Sequence, residues 1–380
     1  MRILCWGTYD TSKPRTRLLL EGLRLAGAEV IECRADIWRG VVDKSQVRGL
    51  RQRLGIMVCW LLAYPRLAWR LMRTPRPDVV LVGFPGILDM LVAAPIARLR
   101  GIPLAWDMFM SLYDTVVEDR HLLRRGSIAA RLLHALEGFA LRRADLVFLD
   151  TQTHARRIEQ LFGLAAGSAS AVWVGVEMEH FRADPAVHTD TDAAPDPSPL
   201  RVLFYGQFIP LHGIETIVQA ARLTRDEPIE WQLIGKGQEA ARIKAMLVEQ
   251  PLPKVRWDAW VDYPQLHQRI AAADICLGIF GASAKAASVI PNKVFQIVAM
   301  GRPLITRDSP AIREMLDDTP PCVSLVPPAE AEALADAVRA FARHGRPLAP
   351  CHGSLQGKLG ARAIGQQCLA LLEHHLGSES

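Results

Sequence analysis

The sequence lacks the cysteine arrangements that bind metal or carry out redox chemistry. Its seven cysteines stand at positions 5, 33, 59, 276, 322, 351 and 368, and no two of them have Cys-x-x-Cys spacing. This scatter gives no reason to expect a zinc site, a redox dithiol or a disulfide. We therefore expect a chain that works in a reducing cytoplasm, without a bound metal or cofactor.

Long uncharged stretches are also scarce. The uncharged centre of the most basic segment, residues 54–65, is 12 residues long, whereas a helix that spans a bilayer needs about 20. The chain enters its first strand-like run directly, without the basic segment and cleavage site that mark a signal peptide. We expect a cytoplasmic protein without a transmembrane helix.

Acidic residues are comparatively few in the first half of the chain. Residues 1–182 carry 26 Lys and Arg against 18 Asp and Glu, whereas the rest carries 19 against 22. Much of the excess lies between Arg48 and Arg73, where cationic ends flank aromatic side chains. Such a segment is typical of a helix that lies in an anionic membrane surface. The residues predicted to contact that surface are Arg53, Trp60, Tyr64, Arg66, Trp69 and Arg70.

The same basic segment has a simpler explanation. A buried helix of the N-terminal domain with a solvated basic rim would produce the same pattern. Nucleic acid explains it less well, because the second half is acidic and no nucleic-acid-binding module is recognisable. We predict peripheral attachment to the cytoplasmic face of a membrane and no nucleic-acid partner.

Short apolar strands alternate regularly with helices along the chain. Strand-like runs occur at 78–82, 103–106, 144–149, 202–205, 231–234, 275–278 and 304–306. This alternation predicts an α/β fold with parallel sheets covered on both faces. A length of 380 residues favours two domains, which we place at 1–182 and 201–358. Residues 183–200, rich in Asp, Ala, Pro and Thr, are the predicted linker.

The most informative segment is 289–306, which is predicted to form a loop, a short apolar helix and a buried strand. Pro291 and Asn292 suit a helix start, and Gly301 suits a helix end. The first turn of such a helix attracts phosphate through its backbone N–H groups and its dipole. Lys293 lies in that turn, where a cation is otherwise unfavourable. A buried helix of any α/β domain would give a similar pattern.

The segment resembles the donor-binding segment of glycosyltransferase family 4, whose members are retaining enzymes with two domains in the GT-B fold. The common form of that family has two glutamates at the positions of Ser288 and Gln296. This chain is instead similar to a sub-pattern in which Pro-x-Lys replaces the acidic run. Gln296 retains the ability to hydrogen-bond a ribose hydroxyl but carries no charge.

Further segments resemble the same family in the expected order. Residues 173–181 are similar to the element that precedes the domain linker, and residues 203–213 are similar to the Gly-Arg…Lys-Gly loop that opens the second domain. In that loop Gln207 and His212 replace the family's Arg and Lys, which hold the donor diphosphate. One cation is therefore lost, and we expect the other position to titrate near neutral pH.

The resemblance implies two Rossmann-like, doubly wound domains that face each other across a cleft, with a last helix at about 359–378 returning to the first domain. It implies a hexosyltransferase that moves a sugar with retention from a nucleotide-diphosphate sugar to a saccharide or lipid-linked acceptor, in cell-surface polysaccharide or glycolipid synthesis. The predicted donor-binding residues are Gly206, Gln207, His212, Gly235, Gly237, Phe280, Gly281, Pro291, Asn292 and Gln296.

Ligands of open α/β sheets bind beyond the carboxyl ends of the strands. The remaining candidate site residues are predicted to lie in the loops at those ends. Lys236 and Lys293 are predicted to stabilise charge on the leaving diphosphate. Asp107 and Asp114 follow a strand and are predicted to orient an acceptor hydroxyl or take its proton, unless they merely cap a helix. The predicted acceptor residues of the first loop are Gly7, Thr8, Tyr9 and Arg15.

Two other functions fit parts of the sequence. Residues 235–240 match Gly-x-Gly-x-x-Ala, and Asp258 follows about twenty residues later, as in a dinucleotide-binding fold. This pattern is the basis for an NAD(P)-dependent oxidoreductase, although a glycine-rich turn without a ligand would look the same. The missing glutamates and the Gln207 and His212 replacements would also suit a non-catalytic nucleotide-sugar binding protein.

Overall fold

The computed structural model describes residues 1–37, 50–182, 198–345, 347 and 350–378. The chain divides into two compact units. The first contains residues 1–115, 123–174 and 361–380, and the second contains residues 116–122 and 175–360. Most of the predicted linker, residues 183–197, lies outside the described residues, as do Arg48 and the side chain of Arg53.

The first unit is a six-stranded parallel sheet with helices on both faces. Its strands are β1 (Arg2–Gly7), β2 (Glu29–Arg34), β3 (Val79–Val82), β4 (Leu104–Phe109), β5 (Leu146–Leu149) and β6 (Ala169–Ala171), and they lie in the order β2-β1-β3-β4-β5-β6. Its first helices are α1 (Pro14–Leu25), α2 (Leu50–Arg73), α3 (Ile87–Leu99), α4 (Ile128–Leu141) and α5 (Gln152–Phe162). The strand order reverses between β1 and β3.

The second unit repeats this architecture. Its strands are β7 (Leu200–Tyr205), β8 (Ile229–Ile234), β9 (Val255–Asp258), β10 (Ile275–Leu277), β11 (Leu304–Arg307) and β12 (Val323–Val326), in the order β12-β11-β10-β7-β8-β9. Its helices are α6 (Ile214–Leu223), α7 (Ala240–Glu249), α8 (Tyr263–Ala272), α9 (Ala284–Ser288), α10 (Asn292–Ala299), α11 (Ala331–His344) and α12 (Gly353–Gln356). Two doubly wound α/β units confirm the predicted fold class.

The last helix, α13 (Ala361–Ser378), belongs to the first unit and packs against α1. The two helices approach most closely at Gly22 and Gly365, where a Cβ on either residue would overlap the backbone of the other helix. The predicted first domain ends at residue 182, whereas the described first unit passes to the second between Val174 and Gly175. The structure also assigns residues 116–122 to the second unit.

The core follows from the apolar strands. Almost every residue of β1, β3 and β5 is buried, as two-sided coverage of a parallel sheet requires.

Local signals set the helix ends. The Thr151 hydroxyl accepts a hydrogen bond from the His154 backbone N–H at 3.0 Å, and Gly163 ends α5 in a left-handed conformation, which is a common helix stop.

One expectation about the cysteines is wrong. Cys322 and Cys351 form a disulfide, with their Cα atoms 5.5 Å apart. The two residues are 29 positions apart in sequence and meet because the chain folds back against the end of α10, where the Cys351 N–H donates to the Gly301 carbonyl at 2.9 Å. Spacing alone carries no signal for such a contact.

No helix within the described ranges is long and apolar enough to cross a membrane.

Candidate active site

The carboxyl edge of the second sheet has the topology of a ligand site. The strand order reverses between β7 and β10, and ligands of open α/β sheets bind at such a switch point. The loops that follow β7, β8 and β10 meet there, and α10 begins beside them. These are the loops that hold most of the predicted donor-binding residues.

Lys293 occupies the centre of this edge. Its side chain is buried, with the residue 5% exposed. The Nζ atom lies 3.7 Å from the centroid of the Phe204 ring and 3.4 Å from the Gly278 carbonyl oxygen. No carboxylate in the described part of the chain pairs with it, and burial holds the pKa of Lys293 well below its ordinary value. A buried cation without a counter-ion is costly, so its position favours a site for an anion.

His212 lies beside Lys293 and differs from the prediction. Its Nδ1 atom contacts the Gln207 carbonyl oxygen, so Nδ1 carries the proton and the neutral ring has a bare Nε2. Burial, together with the charge of Lys293, lowers the pKa of His212 well below its ordinary value. The imidazole is therefore neutral around pH 7, and the expectation that it titrates near neutral pH is wrong.

Gly206 provides the space for both side chains. A Cβ at this position would lie 3.0 Å from Lys293 Nζ and 3.1 Å from His212 Cε1. The backbone has a φ of +143° there, which disfavours any side chain. The positive φ therefore favours glycine directly after β7, and the lysine and the histidine leave little room for a larger residue.

The sequence reasoning missed Tyr205, which organises the start of α10. Its buried hydroxyl lies 3.1 Å from Gln296 Oε1 and 3.2 Å from the Lys293 carbonyl oxygen, and burial raises its pKa. The contact engages the amide oxygen of Gln296 and leaves the NH₂ group for a ligand. Asn292 is exposed and Pro291 is half-buried in the same helix start.

The glycines of the Gly-x-Gly loop have a packing function. A Cβ on Gly235 would overlap the Gly206 carbonyl oxygen, and one on Gly237 would lie 2.5 Å from the Phe208 carbonyl oxygen. The Phe208 N–H donates to the Lys236 carbonyl at 2.9 Å, and the Glu239 N–H donates to the Phe208 carbonyl at 2.9 Å. The loops after β7 and β8 therefore hold each other.

Two of the predicted site residues, Lys236 and Phe280, have side chains that lie against other residues of the second unit. The exposed Lys236 ammonium lies 5.1 Å from the ring centroid of Trp260, which is 66% exposed. Phe280 is fully buried, so its side chain does not reach a ligand. The Phe280 N–H donates to the His212 carbonyl at 3.1 Å, and the Gly281 N–H donates to the Leu211 carbonyl at 3.2 Å. These bonds tie the loop after β7 to the end of β10.

In the first unit, Arg15 and Asp107 form a buried ion pair. Arg15 Nη2 lies 2.7 Å from Asp107 Oδ1, and Arg15 Nη1 also donates to the Val172 carbonyl at 3.0 Å. Both side chains are about 5% exposed. Burial raises the pKa of Asp107 while Arg15 opposes that shift. The pair joins α1, β4 and the chain after β6, and Asp107 does not cap a helix.

Asp114 is likewise fully buried in a charge cluster. Its Oδ1 accepts hydrogen bonds from Arg157 at 3.1 and 2.5 Å. Its Oδ2 lies 4.0 Å from His154 Nε2, and His154 Nδ1 in turn lies 2.6 Å from Asp150 Oδ1. Sequence reasoning named only Asp114 in this cluster, because the other members come from β5 and α5.

The loop after β1 is hydrogen-bonded to the Asp89 carboxylate, which the sequence reasoning did not identify. The Thr8 N–H donates to Asp89 Oδ2 at 2.9 Å, and the Tyr64 hydroxyl donates to Asp89 Oδ1 at 3.0 Å. A Cβ on Gly7 would lie 2.6 Å from Asp89 Oδ2. Burial raises the pKa of Asp89 to about 6. Tyr64, predicted to contact a membrane, points its hydroxyl toward Asp89, and Tyr9, the residue after Thr8, is buried.

Two family models match this chain. The model described as glycosyl transferases group 1 matches residues 199–344, and the model described as a glycosyl transferase 4-like domain matches residues 11–174. Together they cover well over half of the chain. The chain belongs to these glycosyltransferases.

Curated relatives of this glycosyltransferase match part of its length. It is 26% identical over 261 residues to the probable glycosyltransferase WbjE of Pseudomonas aeruginosa, covering 65% of the chain and 62% of WbjE. It is 27% identical over 140 residues to the putative colanic acid biosynthesis glycosyl transferase WcaI of Escherichia coli, covering 36% of the chain and 34% of WcaI. Each match spans less than two thirds of the relative.

Solved structures share the fold of this glycosyltransferase over nearly the whole chain. HepE of Anabaena in complex with UDP has a TM-score of 0.68 at 14% identity, covering 98% of this chain and 100% of HepE. Sucrose-phosphate synthase from Thermosynechococcus elongatus has a TM-score of 0.69 at 17% identity, covering 100% and 99%. The lipopolysaccharide outer core galactosyltransferase WaaB has a TM-score of 0.63 at 14% identity, covering 100% of both chains. The shared fold is GT-B.

The family decides against the oxidoreductase and the non-catalytic binder. The glycine pattern that suggested a dinucleotide has its packing explanation in the loop after β7. Asp258, the acid expected to hold a ribose, accepts a hydrogen bond from Gln232 Nε2 at 3.0 Å. The turn between β8 and α7 therefore supports the loops at the carboxyl end of the second sheet.

Replacing Lys293 tests whether its buried charge serves function rather than stability. We expect Lys293→Met to raise the melting temperature of the unliganded glycosyltransferase, because it removes a charge whose pKa burial lowers. We expect donor turnover to fall by about 10²–10³-fold, the usual effect of losing one group that stabilises developing negative charge. Thermal unfolding and donor turnover measure the two effects. The exposed Lys244→Met control should change neither, and a destabilised Lys293→Met with full turnover would contradict the assignment.

The protonation of His212 gives a pH prediction. Because its folded-state pKa is depressed, NMR titration of the ring should show no midpoint between pH 6 and 8, with His212→Gln identifying the resonance. The unfolded chain binds this proton near pH 6.5 whereas the folded chain does not, so His212 lowers stability as the pH falls below that value. This loss should be smaller in His212→Gln. A His212 midpoint near pH 7 would contradict the prediction.

Proposed function

We propose that this glycosyltransferase binds a nucleotide-diphosphate sugar at the carboxyl edge of its second unit and transfers the sugar to a saccharide or lipid-linked acceptor. The observation that carries the proposal is the buried Lys293 ammonium, which no carboxylate in the described residues neutralises. HepE, which has the same fold, is known in complexes with UDP and with UDP-glucose. A diphosphate supplies the charge that this edge lacks.

The chemistry follows from the position of that charge. Negative charge grows on the diphosphate as its bond to the sugar breaks, while the sugar passes through an oxocarbenium-like state. Lys293 and the backbone N–H groups at the start of α10 stabilise the leaving group. The acceptor attacks from the leaving-group face, which retains the anomeric configuration. Within the described ranges no three His, Cys, Asp or Glu side chains group as a metal site, and we propose that the lysine and the helix dipole carry the charge stabilisation.

The acceptor class is proposed from the relatives and from the surface of the first unit. WcaI is described as a colanic acid biosynthesis enzyme, and WaaB is described as a lipopolysaccharide outer core galactosyltransferase. Both names refer to cell-surface glycans. We propose that this enzyme also extends a saccharide of that kind, on a lipid carrier held at a membrane.

The outer face of α2 supports a membrane contact. Five large apolar side chains are exposed along this helix, namely Val58, Leu61, Leu62, Trp69 and Met72. Arg66, Arg70 and Arg73 lie exposed among them. Apolar residues mixed with arginines are typical of a helix that lies in an anionic surface.

Apolar side chains are also exposed on neighbouring helices of the same unit. Helix α3 packs between α2 and α4, and Leu99 at its end is 83% exposed. Helix α4 exposes Ile128, Leu132, Leu136 and Phe139 at helical spacing, with the guanidinium of Arg143 4.2 Å from the Phe139 ring centroid. We propose that this face attaches to the cytoplasmic leaflet, whose anionic lipids attract arginine.

Removal of the exposed apolar side chains should release the enzyme from anionic vesicles. We expect the double variant Leu62→Ser with Trp69→Ser to lower binding to phosphatidylglycerol-containing vesicles at least about tenfold, because burying a large apolar side chain contributes about 1.5–3 kcal/mol. Vesicle sedimentation measures the effect. Val248→Ser changes an exposed apolar residue of α7 and serves as the control. Equal binding of all three proteins would contradict the membrane contact.

Nucleotide binding tests the donor. Thermal unfolding of the purified enzyme with UDP, GDP, ADP, CDP and NAD at equal concentrations should show a selective rise with one nucleoside diphosphate. A ligand at 100 times its Kd stabilises the folded state by about 2.7 kcal/mol. The Lys293→Met variant should lose this rise. A shift with NAD alone, or with none of the nucleoside diphosphates, would contradict the proposed donor.

A further inference from the structure

Residues 116–122 form part of the second unit, although they follow β4 of the first unit in sequence. Three loops of the carboxyl edge hold this segment. The Ser283 hydroxyl donates to Asp119 Oδ1 at 3.0 Å, and Gln238 Nε2 donates to the Arg120 carbonyl at 3.0 Å. Arg120 Nη2 lies 3.4 Å from Gln207 Oε1. The segment is therefore fixed against the loops after β7, β8 and β10.

The guanidinium of Arg120 is poorly satisfied in this position. An arginine has five N–H donors, and the side-chain partner here is the weak contact to Gln207. Its Nε is buried and has no hydrogen-bond partner, and no carboxylate in the described part of the chain pairs with it. Leaving a buried, charged donor unpaired costs free energy. An arginine with unpaired donors is expected at a site where a bound ligand supplies the missing hydrogen-bond acceptor.

Arg120 also lies close to the Lys293 cluster. Gln207 contacts Arg120 through its amide and His212 through its carbonyl. His212 Cε1 and Lys293 Nζ flank the same point above Gly206. After burial, the charges of Lys293 and Arg120 both lower the pKa of His212, so both cations act on one imidazole. Two basic side chains without a carboxylate partner in the described ranges therefore lie near one imidazole, which favours an anion at the loop after β7.

We propose that Arg120 and Lys293 together bind the diphosphate of the donor, with Arg120 approaching from the side of Gln207. The inference deepens the proposed function and rests on a nucleotide-diphosphate donor. The planar guanidinium pairs with two phosphate oxygens at once, whereas the Lys293 ammonium acts as a point charge. Arg120 thus supplies, from a distant part of the sequence, the cation that the loop lacks at Gln207.

Isothermal titration of the full chain with pyrophosphate, and with the nucleoside diphosphate that binds best, tests the inference. We expect Arg120→Ala to weaken binding of both about 10–100-fold, the effect of losing a charged hydrogen-bond donor to an anion. Arg120→Lys should recover part of the affinity, because it restores the charge without the fork. Arg124→Ala changes an exposed arginine four residues away and should bind as the wild type does.

The controls separate the possible failures. If the wild type binds neither pyrophosphate nor any nucleoside diphosphate, the proposed donor is wrong. If the wild type binds and Arg120→Ala binds equally well, the role of Arg120 is wrong while the donor stands. Binding of the matching nucleoside without phosphates should be unchanged in Arg120→Ala. An equal loss for the nucleoside would mean that Arg120 shapes the loop and does not contact phosphate. If Arg120→Ala unfolds, Arg120→Lys decides by the same comparison.

Discussion

The second unit is organised around one energetically costly group, the buried ammonium of Lys293. The face of Phe204 and the carbonyl of Gly278 contact it, but neither supplies a negative charge. Gly206 adopts a positive φ that disfavours a side chain, and a Cβ there would press against the ammonium. Tyr205 fixes the turn of α10 that presents the lysine, and the Gly301 end of the same helix accepts a bond from the disulfide-linked Cys351. These features together hold a charge that no carboxylate among the described residues neutralises.

The two units treat buried charge in different ways. The first unit contains two buried ion pairs, Arg15 with Asp107 and Arg157 with Asp114. Paired groups of this kind stabilise a fixed arrangement, and removing one partner leaves a costly charge behind. In the second unit Lys293 and Arg120 have no such partners among the described residues. Perturbed, unpaired groups concentrate at functional sites, which supports the proposal that the chemistry takes place in the second unit.

Local sequence signals predicted the framework and part of the site. The alternation of apolar strands gave both doubly wound units, and Pro291, Lys293 and Gly301 marked a helix whose first turn does hold a buried lysine. Interactions between distant segments were not predictable from the sequence. Arg120 meets Gln207 across 87 positions and Asp89 meets Thr8 across 81, and neither pair shares a pattern.

Other expectations were incomplete because one residue type has several possible roles. Gly235 and Gly237 looked like a nucleotide fingerprint, yet each makes room for a neighbouring backbone atom. His212 looked titratable until burial beside a lysine was known, and Tyr64 looked interfacial although its hydroxyl turns toward Asp89. The sequence records the side chain, whereas its protonation and direction depend on neighbours that only the fold supplies.

The buried cation has a consequence for the end of the reaction cycle. Under the proposed function, charge on the diphosphate is greatest after the sugar has left, so we expect the site to be more complementary to the spent nucleotide than to the intact donor. We therefore expect product release to oppose turnover and polyvalent anions in solution to compete for the same place. The rate of such an enzyme would reflect the ratio of donor to spent nucleotide more than the donor concentration alone.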